Sequence, residues 1–139
     1  MNGNVFVDTN ILVYSRDSSE PVKQPIALEK ISELWENRKG RISIQVCSEY
    51  FVTLTQKLKP GLNAAEAWQD VADLFAWEPI PLHIPLIKKA RGCQLQYKTS
   101  WWDSLIISAA FFSNCSTILS EDLNAGQEFF GITVENPFL

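Results

Sequence analysis

Asp8, Glu49, Asp103 and Asp122 are the side chains of this sequence whose type and placement could do chemistry, and that chemistry is the work of carboxylates sharing a cation. Asp8 follows the apolar run Val5-Phe6-Val7, at the carboxyl end of a strand, which is the end where open parallel sheets bind ligands. Asp122 lies just beyond a second run, Thr117 to Leu119. If those two strands are neighbours where the strand order reverses, both carboxylates enter one crevice. Each also has an ordinary explanation, Asp8 as a helix cap and Asp122 as a turn residue.

Asp103 is the most informative position. On a helical wheel it falls between Ile107 and Ala110, with Ile106 close by, on an arc where an unpaired ionised carboxylate is costly. It needs a partner, although Ser100-x-x-Asp103 also reads as a capping box for the same helix. Glu49 carries the weakest signal: it lies off the Val46, Tyr50, Leu54 stripe, and periodicity alone places it in solvent. The need for one more oxygen ligand singles it out.

Such a group cannot assemble unaided. Two like charges 4 Å apart cost about 4 kcal/mol at an effective dielectric of 20, so three or four carboxylates would protonate or open the site. A cation resolves this, and oxygen-only ligands select Mg²⁺ or Mn²⁺ over zinc, which wants His and Cys. Such ions orient and activate water for in-line attack on phosphorus. The reaction is hydrolytic phosphodiester cleavage. His83, the only histidine, sits in a Pro-rich stretch and reads as structural rather than as a general base.

The chain that must position these groups has 139 residues, 46% hydrophobic and 20% charged, with six glycines and seven prolines, and is expected to form one globular domain over residues 1–139. That composition excludes collagen, low-complexity disorder and a disulfide scaffold. Cys47, Cys93 and Cys115 form no metal or disulfide pattern and are expected as reduced core residues. No apolar run approaches the roughly 20 residues that span a bilayer, and no apolar leader follows Met1, so a cytoplasmic location without membrane contact is expected. The net charge of −4 argues against a generally basic nucleic-acid surface. It leaves a polyanionic substrate open, because bound cations would reverse the local sign.

Strands are expected at Asn4–Asp8, Arg41–Ile44, Ile80–Ile84, Thr117–Leu119 and Ile132–Glu135. Between them fall helices from Pro21 to Lys39 with Gly40 as the stop, from Val46 to Leu58, after the Asn63/Glu66 capping pair, from Pro85 toward Tyr97, and from Ser100 through Ser113. The last is apolar on nearly every side and reads as buried, with Trp101 and Trp102 free to pack on the neighbouring core. Trp68, Trp77 and Trp101 are also expected in the core. Strands alternating with helices indicate an α/β domain with a mainly parallel sheet of four to five strands covered on both faces. Lys57, Lys59, Lys88, Lys89, Arg91 and Lys98 are candidates for phosphate contact, each also explained as solvated surface.

Four blocks carry a resemblance: Phe6-Val7-Asp8-Thr9-Asn10-Ile11-Leu12-Val13-Tyr14, Ser43-x-Gln45-Val46-x-x-Glu49-Tyr50, Trp102-Asp103-Ser104-Leu105-Ile106-Ile107, and Leu119-Ser120-Glu121-Asp122-Leu123-x-x-Gly126-Gln127, with Asn136-Pro137-Phe138 closing the chain. In this order and at these separations the sequence resembles a PIN-domain ribonuclease of the bacterial VapC-type toxin branch. The resemblance implies a three-layer PIN-like fold in which Asp8, Glu49, Asp103 and Asp122 hold Mg²⁺ or Mn²⁺, supported by Asn10 and Ser120. It also implies cleavage of RNA to 5′-phosphate and 3′-hydroxyl ends, a homodimer, and neutralisation by a cognate antitoxin protein whose tail enters the active-site groove. Glu121 is a spare acid without an assigned role.

Three other readings compete. One is a PIN-fold RNA-processing nuclease that is not a toxin, and another a catalytically silent binding module of the same fold. The third is a phosphoaspartate protein using Asp8, which the Asp-Thr-Asn sequence argues against because such phosphatases want Asp-x-Asp.

Overall fold

The computed structural model describes residues 3–139. The expectation about an export leader and the outer limit of the domain touch Met1 and Asn2, which lie outside the described residues. The elements run β1 (Asn4–Val7), α1 (Thr9–Tyr14), α2 (Lys23–Asn37), β2 (Gly40–Arg41), α3 (Ile44–Val52), α4 (Ala64–Leu74), α5 (Ile84–Tyr97), α6 (Trp101–Phe112), β3 (Cys115–Leu119), β4 (Glu128–Phe129) and β5 (Ile132–Glu135). A π-helical turn, Thr53–Lys57, continues α3, and a 3₁₀ turn, Phe75–Trp77, continues α4.

The five strands form one sheet in the order β2-β1-β3-β5-β4. β1 pairs in parallel with both β2 and β3, β3 pairs in parallel with β5, and only β4 runs antiparallel, against β5. The expected α/β class, with a mostly parallel central sheet flanked by helices, is what the chain adopts. The chain leaves β1 toward β2 and then returns past it to β3, so the strand order reverses between β1 and β3. In the register Val7 lies beside Leu119, which brings residues 8 and 120 off neighbouring strands at the same level.

Burial explains the sheet. Phe6, Val7, Ile118, Leu119 and Val134 are 0–3% exposed, as expected for strands covered on both faces. On α6 every residue from Ser104 to Ala110 is buried. Its two inward serines differ in partners: Ser104 Oγ donates to the Ser100 carbonyl at 2.6 Å, whereas Ser108 Oγ is buried without a partner among the described residues.

Several boundaries differ from expectation for identifiable reasons. Ile80–Ile84 is not a strand. Ile80 makes a single parallel bridge to Ser43, and Ile84 already opens α5, whose N-cap is His83. The second strand is shorter than Arg41–Ile44 because Ser43 turns away to cap α3. Gly40 does not stop α2: Arg38 takes the left-handed conformation (φ 60°), and Gly40 starts β2. A Cβ at Gly40 would lie 2.7 Å from the Trp77 ring, so the glycine serves close packing. Trp77 is 2% exposed, but Trp68 is 55% and Trp102 62% exposed, so those two are not core residues.

Candidate active site

Asp8 ends β1 and caps α1, and the extended backbone at this position (φ −71°, ψ 156°) lets its carboxylate turn back over the helix start. One oxygen accepts from the Thr9 amide at 2.8 Å and the other from Ser120 Oγ at 2.9 Å. Burial pushes its carboxyl up to about 6; the hydrogen bonds from Ser120 and Thr9 oppose this, while the charges of Asp122 and Glu49 add to it. Asp8 therefore senses two of the other three acids.

Ser120, fully buried, is the hinge of the opposite strand end. Besides donating to Asp8, its hydroxyl accepts from the amides of Asp122 and Leu123, both at 3.2 Å. The short turn after β3 is thereby pinned to β1, and Asp122 leaves it toward Asn10, whose side-chain amide donates to Asp122 Oδ2 at 3.0 Å. The capping and turn explanations weighed from sequence both hold, and they hold together with a shared crevice.

Glu49 reaches the same place from α3. Its carboxylate accepts from Thr9 Oγ1 at 2.7 Å and from Gln45 Nε2, one turn earlier, at 3.3 Å. Thr9 thus ties Asp8 through its amide and Glu49 through its hydroxyl. Asp103 arrives from α6, where its amide is capped by Ser100 Oγ at 3.1 Å. Its carboxylate accepts no hydrogen bond among the described residues. The buried partner expected for Asp103 is absent because the side chain, half-buried, opens onto a pocket.

That pocket has a volume of about 450 Å³, and Asp8, Glu49, Asp103 and Asp122 all line it, with Asn10, Thr9, Gln45, Lys57 and Trp102. Ser120 is not part of the lining but fixes two residues that are. Among the described residues no group of three His, Cys, Asp or Glu is drawn tightly enough together to hold an ion as it stands. The acids surround an open pocket rather than a closed cage. The donor chemistry nevertheless suits a hard cation: every acid lining the pocket offers oxygen, Asp103 has no protein donor among the described residues, and Asp8 is raised by burial first, with the charges of Asp122 and Glu49 adding to it.

Sequence reasoning missed Thr9 and Gln45. Gln45 could have been found from its place one turn before Glu49 on one helix face. It is 8% exposed, and its Oε1 is buried without a donor among the described residues. Glu121 points elsewhere, accepting from Tyr14 OH at 2.6 Å and pairing with Lys23. His83 is a helix cap, Nδ1 accepting from the Leu86 amide at 3.1 Å, and takes no part in the pocket. Of the basic candidates only Lys57 lines it.

Comparison with curated protein sequences gives no match. The sequence model of the PIN domain matches residues 5–127, a span that contains all four acids, Asn10 and Ser120. PIN domains are generally nucleases, hydrolases acting on nucleic acid, and typically use divalent metal ions. With the switch-point sheet and its carboxylate-lined crevice in place, a match over most of the sequence makes the assignment plain: the chain belongs to the PIN domain family.

Proposed function

We propose that this protein is a Mg²⁺- or Mn²⁺-dependent endoribonuclease and the toxin of a toxin–antitoxin pair, resembling the VapC branch. The observation that carries the nuclease reading is the convergence of Asp8, Glu49, Asp103 and Asp122, from four separate elements, on one pocket at the point where the strand order reverses. Asp8, Asp103 and Asp122, with Glu49, are the groups that would hold the ion. When bound, a divalent cation supplies a Lewis acid for the phosphodiester and eases deprotonation of water.

The chain's own residues set the geometry of that reaction. Ser120 and the Thr9 amide fix both oxygens of Asp8, Asn10 holds Asp122, and Thr9 with Gln45 holds Glu49. Held acids lose little freedom on binding, which is the use of a supporting shell. Water adds to phosphorus, the P–O3′ bond breaks, and the water's proton ends on the departing oxygen, giving 5′-phosphate and 3′-hydroxyl products.

The toxin role, the homodimer and the antitoxin partner rest on the resemblance. One feature supports a protein partner: an apolar cavity of about 490 Å³, lined by residues that include Ile44, Phe51, Val52, Trp68 and Phe75, shares Ser48 and Val52 with the acidic pocket. A bound segment could thus span both.

The test is incubation of the purified protein with total RNA in Mn²⁺, with and without chelator, followed by mapping of the cut ends. Metal-dependent cuts bearing 5′-phosphates support the proposal. Cleavage unchanged by Asp103→Asn in a folded, contaminant-free preparation refutes the assignment of that residue. Growth arrest on expression, relieved by a small neighbouring reading frame, separates a toxin from an RNA-processing enzyme.

A further inference from the structure

We propose that Trp102 and Lys57 grip one unpaired nucleotide of the RNA beside the carboxylates, the base stacking on the indole and a phosphate pairing with the ammonium. This deepens the nuclease reading and rests on it. The grip requires a base with a free face, which a base inside a duplex does not offer.

The indole is where a core residue should not be. Trp102 is 62% exposed on a helix whose residues from Ser104 to Ala110 are all buried, and it makes no ring contact among the described residues. Trp101 beside it packs against the core, so the helix start does not lack aromatic packing. An exposed indole next to Asp103, in the wall of a polar pocket, has the placement of a stacking platform.

Lys57 supplies the other half. It is the only cation among the residues lining a pocket that holds four acids, yet among the described residues it forms no ion pair with any of them. The cationic side chains Arg16, Lys23, Lys30 and Arg41 are all paired elsewhere. It ends the π-helical turn Thr53–Lys57, whose wider turn changes the direction of the side chains that follow α3. π turns of this kind recur at functional sites. A pocket of about 450 Å³ lies within the range of small-ligand sites and suits one nucleotide.

The two contacts leave separate signatures. Trp102→Ala should raise KM for a single-stranded oligoribonucleotide about 5- to 100-fold, with a smaller change in kcat, and Trp102→Phe should restore most of the loss. Binding is read in an Asp122→Asn background, which keeps the RNA intact, by anisotropy of a labelled 12-nucleotide RNA carrying one abasic position moved along the strand. With Trp102 present, one abasic position weakens binding sharply; with Trp102→Ala that sensitivity disappears. Lys57→Gln should flatten the slope of log affinity against log salt by about 0.7, the loss of one phosphate contact.

If the unsubstituted enzyme cuts RNA while Trp102→Ala leaves KM within twofold and the abasic profile unchanged, the grip is wrong and the nuclease reading stands. If the unsubstituted enzyme neither cuts nor binds RNA, both fail together. Preference for duplex over single-stranded RNA also overturns the grip.

Discussion

Ser120 Oγ donates to Asp8 Oδ2 at 2.9 Å, joining residues 112 positions apart that leave adjacent parallel strands at the same level. The same hydroxyl accepts the amides of Asp122 and Leu123, so one buried oxygen organises two of the four acids. Removing it as Ser120→Ala leaves two amides and a buried carboxylate oxygen short of a partner. The expected cost is about 1–3 kcal/mol of stability in a urea titration. Because this bond lowers the Asp8 pKa, its loss moves the acid limb of the kcat/KM profile to higher pH.

Asp8 makes stability depend on pH with a definite sign. Its carboxyl is raised from 3.8 to about 6 by burial first, with Asp122 and Glu49 adding to it. The folded state therefore binds the proton more tightly than the unfolded one. Its contribution is fully present below about pH 4 and is lost as pH rises through about 6 in metal-free protein. Asp8→Asn removes that slope, so the stability difference between variant and unsubstituted protein, measured by denaturation from pH 4 to 7, should shift in favour of the variant as pH rises.

Divalent ions should reverse this penalty. Mn²⁺ at about 100 times its Kd stabilises a one-site protein by about 2.7 kcal/mol, seen as a rise in Tm. The unsubstituted protein should show that rise, and Asp8→Asn and Asp103→Asn should show much less. Equal rises in all three would place the ion elsewhere.

Much of this site was legible in the sequence, and what was not has physical causes. The strand-end positions of Asp8 and Asp122 followed from short apolar runs, and the Ser100 and Asn63 caps from side-chain chemistry that is local. Periodicity placed Glu49 in solvent, and it does lie exposed; what periodicity could not show is the hydrogen bond from Thr9, 40 residues away, that holds its carboxylate at the pocket. The π turn after α3 escaped notice because apolar spacing does not separate a wide turn from an α-helical one. Ile80–Ile84 looked like a strand from its bracketing prolines, yet His83 and Pro85 are helix-opening residues, and the helix prevailed. Trp68 was expected in the core and Trp102 was read as free to pack on it, because an aromatic on an apolar helix usually packs; their exposure depends on which neighbour each helix meets.

Glu121, the spare acid, should prove structural. Burial works against its charge, but hydrogen bonds from Lys23 and Tyr14 outweigh it and hold the carboxyl below the usual range. Lys23 also lies over the Tyr14 and Phe138 rings, fastening the chain end to α1. Glu121→Gln should leave RNA cleavage within a few-fold. Its stabilising share should be present at neutral pH and fade as pH falls through the lowered pKa, read as a change in Tm between pH 7 and pH 3.

The three cysteines should be inert in the native protein. All are buried, and burial pushes the Cys115 thiol up to about 12. A thiol reagent at pH 8 should modify them only after denaturant is added. Fast labelling of the folded protein would contradict this.

The central claim, that Asp8, Glu49, Asp103 and Asp122 hold a divalent cation for phosphodiester hydrolysis, is met most directly by diffraction at the manganese edge from crystals soaked in Mn²⁺. The account predicts an anomalous peak inside the pocket, with Asp8, Asp103 and Asp122 oxygens as its nearest protein atoms. A pocket free of anomalous density at saturating Mn²⁺ would contradict it.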